Sequence, residues 1–364
     1  MIQASFGFYV ATVGALTALT FLAPLLHQAG LTEAQTSATL ISLPIGALFV
    51  GPVSANIVDR YGYQKMILLG ALLGSALLFL ALPFLPPPLI VGGVVLLAML
   101  RAPVFPLADA STYAAFGSRY GRIRGVGSIS YVLGMLLMAG LRDPWPASPF
   151  LYGSLLLFGA GLCVPLLPPP PAPVPGGRIR DLLVSRSLAI LFAIAFLNGL
   201  SITLYDNLFT LLMDSREVRS EITAGAIAWG VLVEVGVFGI TDPLLRRFHP
   251  SSLLLTSVAV GAPRFFLTGW LENPLLIAGV QGLHGVQFGL FWISGMALVQ
   301  QHSPSHLRST AQALFAAASF GIAPIVGLSL SSIWLTSGDL SSLFSLLTVP
   351  CLVATALATA YRRR

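Results

Sequence analysis

Three ionisable side chains in consecutive apolar stretches are the residues of this chain best placed to do chemistry. Glu234, Arg264 and His284 each lie in a run of about 20 apolar residues or more, which is long enough to cross a bilayer core of about 30 Å. Glu234 is 13 residues from Glu221 and 12 from Arg246, so water is about 18–20 Å away along a helix in either direction. A lone charge at that depth costs several kcal/mol, so these groups are expected to pair or to line a wet cavity.

Further polar side chains repeat at helical spacing within the apolar runs. The two polar stripes are Asn198, Ser201, Tyr205 and Asp206 in one run, and Gln281, His284 and Gln287 in another. Residues three and four apart lie on one face of a helix. A polar face on an apolar helix is directed at protein or water rather than at lipid, so we expect both stripes to line a shared cavity.

The formal charges within the apolar runs do not balance. The acids are Asp109, Asp206 and Glu234, and the fixed cations are Arg101 and Arg264. One acid is left uncompensated, and it must hold a proton near neutral pH or compete for a cation. This is what a proton-coupled carrier requires. The alternative is structural: Arg101 pairs permanently with Asp206 or Asp109, Arg264 pairs with Glu234, and His284 is a packing residue.

The composition places most of the chain in a membrane. The 364 residues are 56% hydrophobic and 9% charged, with a mean hydropathy of +0.87, whereas a soluble domain is about 25% charged. We therefore predict an all-α, polytopic membrane protein. Its twelve candidate transmembrane spans are residues 5–27, 36–58, 66–85, 89–116, 123–141, 149–167, 188–211, 222–243, 251–271, 274–299, 311–335 and 340–361.

The charges of the connectors orient these spans. Of 19 basic residues, fourteen lie in the connectors after even-numbered spans or at the C-terminus, and three lie in the opposite connectors. The positive-inside rule then places both termini in the cytoplasm of a multi-pass protein of the cell membrane. The same pattern explains the net charge of +6, so no nucleic-acid partner is expected. Cys163 and Cys351 lie inside apolar runs, and we expect neither a disulfide, a metal site nor a cofactor.

The longest connector divides the chain into two halves. Residues 168–187 begin with a proline-rich run and then turn basic, a composition that favours an extended linker. It separates a bundle of six spans at 1–167 from a second bundle of six at 188–364. Two such halves are typical of a pseudo-repeated fold with its binding site between them.

A short charged turn, Asp59 to Lys65, joins the second and third spans. Asp59 is positioned to pair with Arg119, Arg122 or Arg124 of the next cytoplasmic connector, and such a pair would break and reform as a cavity opens. The alternative is a solvated tight turn. The residues predicted to gate the conformational change are Asp59, Arg60, Lys65, Asp109, Arg122 and Arg124.

These motifs resemble the major facilitator superfamily. The matching stretches are Asp59-Arg60-Tyr61-Gly62 followed by Lys65, Pro106-Leu107-Ala108-Asp109, Tyr120 to Ser128, Trp229 to Glu234, and Arg264 followed by His284-Gly285. In that order they are similar to the turn between spans 2 and 3, span 4, the start of span 5, span 8 and spans 9 and 10 of the branch that contains lactose permease, nucleoside–proton symporters and phenylpropionate transporters. Ala55 stands where the superfamily turn has Gly.

The resemblance implies alternating access with proton coupling, in which Glu234, Arg264 and His284 form the substrate and proton network. Lactose permease has a further Glu one turn after its span 10 His, and this chain has Gln287 there. An amide does not titrate, so another residue must carry the proton. Glu234 is the first candidate for this role and Asp206 is the second. The predicted site is completed by Arg101, Asn198, Tyr205, Gln281 and Gln287.

We thus predict a monomeric symporter that moves protons together with a small polar or aromatic solute: a sugar, a nucleoside or an aromatic acid. The alternative is a proton-coupled exporter, because several aromatic residues near the expected cavity would suit apolar cargo: Trp229, Phe288, Phe291 and Trp292. A transport-inactive sensor is a third possibility. An enzyme is not expected, because the histidines near the span ends have no carboxylate beside them in a catalytic arrangement.

Overall fold

The structure is a computed structural model that describes residues 1–141, 145–169 and 179–363. Every regular element in these ranges is a helix, so the predicted all-α fold is confirmed. Eleven helical stretches of the described chain are long and apolar enough to cross a membrane. One of them, Pro87–Met138, has 52 residues and contains the fourth predicted span and all but the last three residues of the fifth. The cytoplasmic location of the termini stays a prediction.

Contacts between Cα atoms divide the chain into two compact units. Unit 1 is Met1–Gly177 with Ser305–Ala313, and unit 2 is Arg178–Pro304 with Leu314–Arg364. The predicted linker 168–187 overlaps residues 170–178, which lie outside the described residues. Its last part is not extended, because Ile179–Leu183 forms a short helix.

The described residues up to position 169 form nine α-helices. They are α1 (Ile2–Gly14), α2 (Leu22–Gln28), α3 (Glu33–Leu40), α4 (Ser42–Tyr61), α5 (Gln64–Ala81), α6 (Pro87–Arg101), α7 (Val104–Phe116), α8 (Tyr120–Leu141) and α9 (Ser148–Cys163). In unit 1, α1 packs against α8 and α9, and α5 packs against α9 and α6.

Eleven further helices follow. They are α10 (Ile179–Leu183), α11 (Arg186–Ser215), α12 (Ser220–Gly239), α13 (Thr241–Arg247), α14 (Pro250–Trp270), α15 (Pro274–Val280), α16 (Gly282–His302), α17 (Arg308–Ala317), α18 (Ala323–Trp334), α19 (Leu340–Leu346) and α20 (Thr348–Arg362). In unit 2, α14 packs against α16 and α20, and α12 packs against α16. These contacts bring the polar stripes predicted on α11 and α16 into one helix cluster with α14.

Local sequence signals explain where several helices begin and end. The α4 helix ends at Tyr61 because Gly62 adopts a left-handed conformation with φ +74°, which costs glycine no steric strain. The α3 helix begins after Thr32, whose side chain accepts a hydrogen bond from the Gln35 backbone in a capping box. The α6 helix begins at Pro87, where the missing N–H has no intrahelical role.

The outer surface of both units is apolar. Large side chains such as Leu77, Leu136, Leu155 and Ile333 are about two-thirds exposed. A soluble protein rarely exposes so many large apolar groups, but hydrocarbon lipid tails are a suitable solvent for them. The surface therefore agrees with a multi-pass membrane protein.

Candidate functional site

Four helices of unit 2 bring the predicted polar residues together. Asn198 and Tyr205 come from α11, Arg264 comes from α14, and Gln287 comes from α16. Gln281 lies at the junction between α15 and α16. Each of these side chains is at least nine-tenths buried. The sequence predicted these residues as one set, and the structure places them in one cluster.

Arg264 is the centre of this cluster and is fully buried. Its Nη1 donates to Gln287 Oε1 at 2.9 Å, and its Nε and Nη2 donate to Gln281 Oε1 at 3.4 Å each. Its guanidinium carbon lies 4.2 Å from the centre of the Tyr205 ring and 4.6 Å from that of Phe265. Neutral amide oxygens and aromatic faces thus surround the cation. Among the described residues, no carboxylate lies within ion-pair distance of it.

The two amides are held in orientation by their own NH₂ groups. Gln281 Nε2 donates to Thr268 Oγ1 and to the Ile277 carbonyl, both at 3.0 Å. Gln287 Nε2 donates to Asn198 Oδ1 at 2.9 Å. Because the nitrogens are engaged in this way, both amide oxygens point at the guanidinium. The arrangement gives each nitrogen of Arg264 a hydrogen-bond acceptor but leaves its positive charge uncompensated at short range.

His284 and Glu234 lie where α12 and α16 approach closely. A Cβ added at Gly285 would collide with the Glu234 backbone nitrogen, and one added at Gly230 would lie 3.3 Å from His284 Cβ. The His284 ring lies 5.2 Å from the Tyr205 ring and 6.0 Å from the Phe288 ring. Its Nδ1 is buried and has no hydrogen-bond partner in the part of the chain that the structure describes. Glu234 is 6% exposed.

Asp206 differs from the other predicted acids because its side chain is exposed. It follows Tyr205 in the middle of α11, 20 residues after the helix begins at Arg186. Its charge interacts favourably with Arg264 and unfavourably with Glu234. A carboxylate at this depth is stable only if it faces water or protein. The exposed acid and the buried acid are therefore coupled through the same cation-centred cluster.

The structure adds a residue that sequence reasoning treated only as a connector cation. Arg216, just after α11, donates to the carbonyls of Leu271 at 2.7 Å and Gly269 at 2.8 Å, and to Ser341 Oγ at 2.8 Å. It also donates to the Thr268 carbonyl at 3.3 Å. These bonds fix the C-terminal end of α14, where a cation is favoured by the helix dipole. Partial burial lowers the pKa of Arg216.

Unit 1 contains a second polar cluster. Asp109 of α7 is 1% exposed and accepts a hydrogen bond from the Tyr9 hydroxyl at 2.5 Å. The guanidinium carbon of Arg124 lies 5.8 Å from the Tyr9 ring centre and 5.2 Å from that of Phe105. The charge of Arg124 also acts on Asp109. Nothing in the sequence of the first span indicated that Tyr9 would be the partner of this acid.

Arg101 is the remaining cation of the predicted site and lies in unit 1. It is the last residue of α6 and lines a small cavity in unit 1 together with Ser75 and Phe105. Within the described chain its guanidinium has neither a hydrogen bond nor an ion pair. The permanent pairing with Asp109 that was the structural alternative is therefore not observed.

The turn between α4 and α5 makes contacts within unit 1. Asp59 Oδ2 accepts hydrogen bonds from Thr310 N at 2.8 Å and Thr310 Oγ1 at 2.7 Å, and Oδ1 accepts one from Ser309 N at 3.3 Å. Lys65 Nζ donates to the Pro165 carbonyl at 2.6 Å. The buried carboxylate thus caps the first turn of α17, where the helix dipole favours a negative charge. Pairing of Asp59 with the connector arginines, and the gating roles of Arg60 and Arg122, stay predictions.

A search of the described residues for groups of three or more His, Cys, Asp or Glu side chains that could hold a metal ion found none.

Comparison with known proteins gives a consistent classification. A family model described as "MFS_1 like family" matches residues 1–346. No curated protein matches the chain in sequence.

Several solved structures share the fold. The human organic anion transporter MFSD10 (TETRAN) has a TM-score of 0.80 at 15% identity, with 98% of each chain covered. The E. coli fucose:proton symporter FucP has a TM-score of 0.79 at 11% identity, with 99% of this chain and 98% of that chain covered. The nucleoside transporter NupG has a TM-score of 0.66 at 19% identity, with 100% and 98% covered. All three are membrane transporters, and identities this low show a common fold rather than a common substrate.

Proposed function

Because this chain belongs to the MFS_1-like family of membrane transporters, we propose that it is a proton-coupled symporter of a small polar or aromatic organic solute. The candidate solutes are a sugar, a nucleoside or an aromatic acid. Transport occurs by alternating access, and the protein acts as a monomer in the cell membrane with both termini in the cytoplasm. Similar folds serve a fucose:proton symporter and a nucleoside transporter, so a fold of this kind is able to carry such solutes.

The observation that carries the proposal is the ligation of Arg264 by neutral groups. Its hydrogen bonds go to the amide oxygens of Gln281 and Gln287, so the cation is held in place without being neutralised. Two acids, Asp206 and Glu234, interact unfavourably with each other in the same unit, and Asp206 also interacts favourably with Arg264. Like charges disfavour simultaneous ionisation, so one acid is a natural carrier for a proton.

Glu234 is the first candidate for the proton and Asp206 is the second. Glu234 is buried, and a buried acid exchanges its proton only when water or cargo reaches it. Asp206 has an exposed side chain, and in this proposal it exchanges its proton with water. A proton that arrives at Asp206 removes its repulsion of Glu234, so proton binding at one acid changes the charge that a bound solute meets at the other.

Two buried polar atoms are available for the solute. Asn198 Nδ2 and His284 Nδ1 have no hydrogen-bond partner among the described residues. One is a donor and the other is a donor or an acceptor according to its tautomer. Hydroxyl or amide groups of a sugar or nucleoside would satisfy both atoms, and the Tyr205 ring beside His284 offers a face for an aromatic or sugar ring.

Conformational gating is assigned to unit 1. The Asp59 carboxylate, bound to Ser309 and Thr310 at the start of α17, and the Lys65 bond to Pro165 hold the turn in one arrangement. Asp109 and Arg124 form the second gating element, and Arg60 and Arg122 complete the proposed gating set. Transport requires that these contacts exchange for others during the cycle.

The exporter alternative loses part of its support in the structure. Phe291 is 1% exposed and Trp292 is 5% exposed, and both pack against Phe315. Residues that fill the core of a helix cluster do not offer a surface to apolar cargo.

Uptake into proteoliposomes tests the proposal. Purified protein is first screened by thermal shift against sugars, nucleosides and aromatic acids, because a bound solute raises the apparent stability. Each hit is then added outside liposomes that contain a pH-sensitive dye. We expect acidification of the lumen that depends on the solute, and accumulation that depends on an imposed pH gradient.

Matched variants separate coupling from folding. Glu234→Gln is expected to abolish accumulation but to keep exchange of solute, and Asp206→Asn is expected to reduce accumulation. Glu221→Gln on α12 and Asp214→Asn on α11 are the controls, because both acids are exposed on the same helices. Accumulation that is indifferent to the pH gradient and to Glu234→Gln would exclude proton coupling.

A further inference from the structure

A small cavity inside unit 1 is built around a cation that no described residue neutralises. Arg101, Ser75, Thr12, Phe79 and Phe105 are among its lining residues, and all lining residues belong to unit 1. The centre of a water-sized occupant can move within about 10 Å³ of this cavity, which is room for one small occupant. A sugar, a nucleoside or an aromatic acid is far larger than this.

The guanidinium of Arg101 requires hydrogen-bond acceptors and a counter-charge. A guanidinium carries five N–H donors, yet those of Arg101 have no acceptor in the described chain. Asp109, the acid nearest in sequence on the same predicted span, is already bound to Tyr9. An unpaired cation within a membrane-spanning segment is costly, so its position is stable only when water or an anion meets it.

A second group in the cavity points to the same conclusion. Ser75 of α5 is 1% exposed, and its hydroxyl has no hydrogen-bond partner. Helical hydroxyls usually donate back to a carbonyl of the preceding turn, as Thr12 does to Phe8 O at 2.7 Å and Ser111 does to Leu107 O at 3.2 Å. Ser75 does not do so, and its proton remains available. Thr12 has already used its proton and serves only as part of the wall.

We propose that this cavity binds a small monovalent anion of chloride size between the Arg101 guanidinium and the Ser75 hydroxyl. The anion would supply the missing counter-charge and accept a hydrogen bond from the Ser75 hydroxyl, and an ion of this size is only slightly larger than a water molecule. Its other contacts are with the apolar wall, which includes Leu72 and Leu157. The inference is independent of proton coupling, because all of its residues lie in unit 1 and the proton network lies in unit 2.

Binding of radioactive chloride to the purified full chain, measured by scintillation proximity, tests the site. Wild-type protein is expected to bind chloride saturably, and unlabelled bromide is expected to displace it. Arg101→Gln is expected to abolish binding. Ser75→Ala is expected to weaken it by about tenfold or more, since it removes a hydrogen bond to a charged group.

The controls are Arg186→Gln and Ser329→Ala, which change an exposed arginine and an exposed serine whose hydroxyl is already bonded within its helix. Both are expected to bind chloride as the wild type does. Lack of saturable binding in the wild type would mean that a water alone fills the cavity, and would overturn the proposal. Unchanged affinity in Ser75→Ala would overturn it as well, even if Arg101→Gln fails to fold. Displacement by acetate or benzoate at lower concentrations than by chloride would overturn it in favour of an organic carboxylate.

Discussion

The two units each bury a charged cluster, and they satisfy the buried charge in opposite ways. In unit 1 the buried charge is an acid: Asp109 accepts a hydrogen bond from the Tyr9 hydroxyl, and Arg124 lies against the Tyr9 ring. In unit 2 it is a cation: Arg264 donates to the amide oxygens of two glutamines. In unit 1 the acid is hydrogen-bonded and a cation lies against the same tyrosine ring, whereas in unit 2 the hydrogen bonds of the cation go to neutral ligands and Asp206 acts on it through its charge alone.

This difference indicates that the two units have different roles in transport. A cluster that holds charges of both signs is stabilised little by a further charged partner. Unit 1 is therefore suited to keeping its contacts fixed until a conformational change breaks them. A cation with neutral ligands keeps its attraction for a carboxylate or for the negative end of a cargo dipole. Unit 2 is therefore the unit in which protonation and solute binding would act on one another.

The substitution with the largest expected effect lies at Gly285, where α12 and α16 come into close contact in the unit 2 cluster. A Cβ at Gly285 would collide with Glu234 N and Gly230 O, both of which are backbone atoms and cannot move aside. Gly285→Ala is therefore expected to lower the free energy of unfolding by about 3 kcal/mol or more and to abolish transport. Reversible unfolding in mixed detergent micelles measures the loss.

Gly225 of α12 gives the matched control, because nothing lies within 4 Å of a Cβ added there. Gly225→Ala is expected to be neutral or to stabilise the helix by up to about 1 kcal/mol. Equal losses in the two variants would contradict the view that close contact between α12 and α16 is what places Glu234 beside His284.

A second pair of variants tests the comparison directly, because it makes the same change in each cluster. Arg264→Lys loses the fork that reaches Gln281 and Gln287 and is expected to cost about 2 kcal/mol, since lysine has no planar fork. Arg124→Lys is expected to cost less than about 1 kcal/mol, because Arg124 Nε has no hydrogen-bond partner among the described residues and its ring contacts tolerate an ammonium. Thermal unfolding in detergent compares the two. A larger loss for Arg124→Lys would contradict the view that Arg264 is held by hydrogen bonds whereas Arg124 is held by ring contacts.

A third pair removes one hydroxyl from each cluster. Tyr9→Phe deprives the buried Asp109 carboxylate of its 2.5 Å hydrogen bond and is expected to cost about 1–2 kcal/mol. Tyr205→Phe keeps the ring that packs on Arg264 and His284 and is expected to cost less than about 1 kcal/mol. Measuring the free energy of unfolding of each variant shows which of the two substitutions is more destabilising. If Tyr205→Phe is the more damaging change, the phenol oxygen and not the ring supports Arg264.

The sequence predicted the fold and the composition of the unit 2 cluster well, for clear physical reasons. Runs of about 20 apolar residues require helices in a membrane, and polar residues three and four apart must share a face. For this reason Gln281, His284 and Gln287 could be grouped with Arg264 before any coordinates were considered. The partner of Arg264 could not be predicted, because either Glu234 or a glutamine fits its spacing, and only the packing of α14 against α16 selects the glutamines.

In unit 1 the sequence was less informative. Tyr9 lies about 100 positions from Asp109, and one tyrosine in an apolar span has no local signal that marks it as a hydrogen-bond donor to a distant acid. Ser75 is equally inconspicuous among its apolar neighbours, and only its missing hydrogen bond in the folded chain distinguishes it. Long-range partners of single polar residues depend on helix packing, which periodicity does not specify.

The smallest expected effect comes from placing a carboxylate beside Arg264. Gln287→Glu would put an acid at the position that is 2.9 Å from Arg264 Nη1. The amide of Asn198 would have to rotate so that its Nδ2, which has no partner in the described chain, replaces Oδ1 as the neighbour of residue 287. Because a buried ion pair roughly balances its own desolvation cost, the free energy of unfolding is expected to change by less than about 1 kcal/mol.

Gln281→Glu is the control that makes this argument specific. Gln281 Nε2 donates to the Ile277 backbone carbonyl, which cannot rotate away from a new carboxylate oxygen as an amide side chain can. The same substitution at 281 is therefore expected to cost about 2 kcal/mol, through repulsion between two acceptors. In proteoliposomes, Gln287→Glu should also change the pH dependence of uptake, because it adds a titratable carboxyl beside a cation whose charge also acts on Asp206. If both variants are equally stable and equally unchanged in pH dependence, then the neutral ligands of Arg264 are not what distinguishes unit 2 from unit 1.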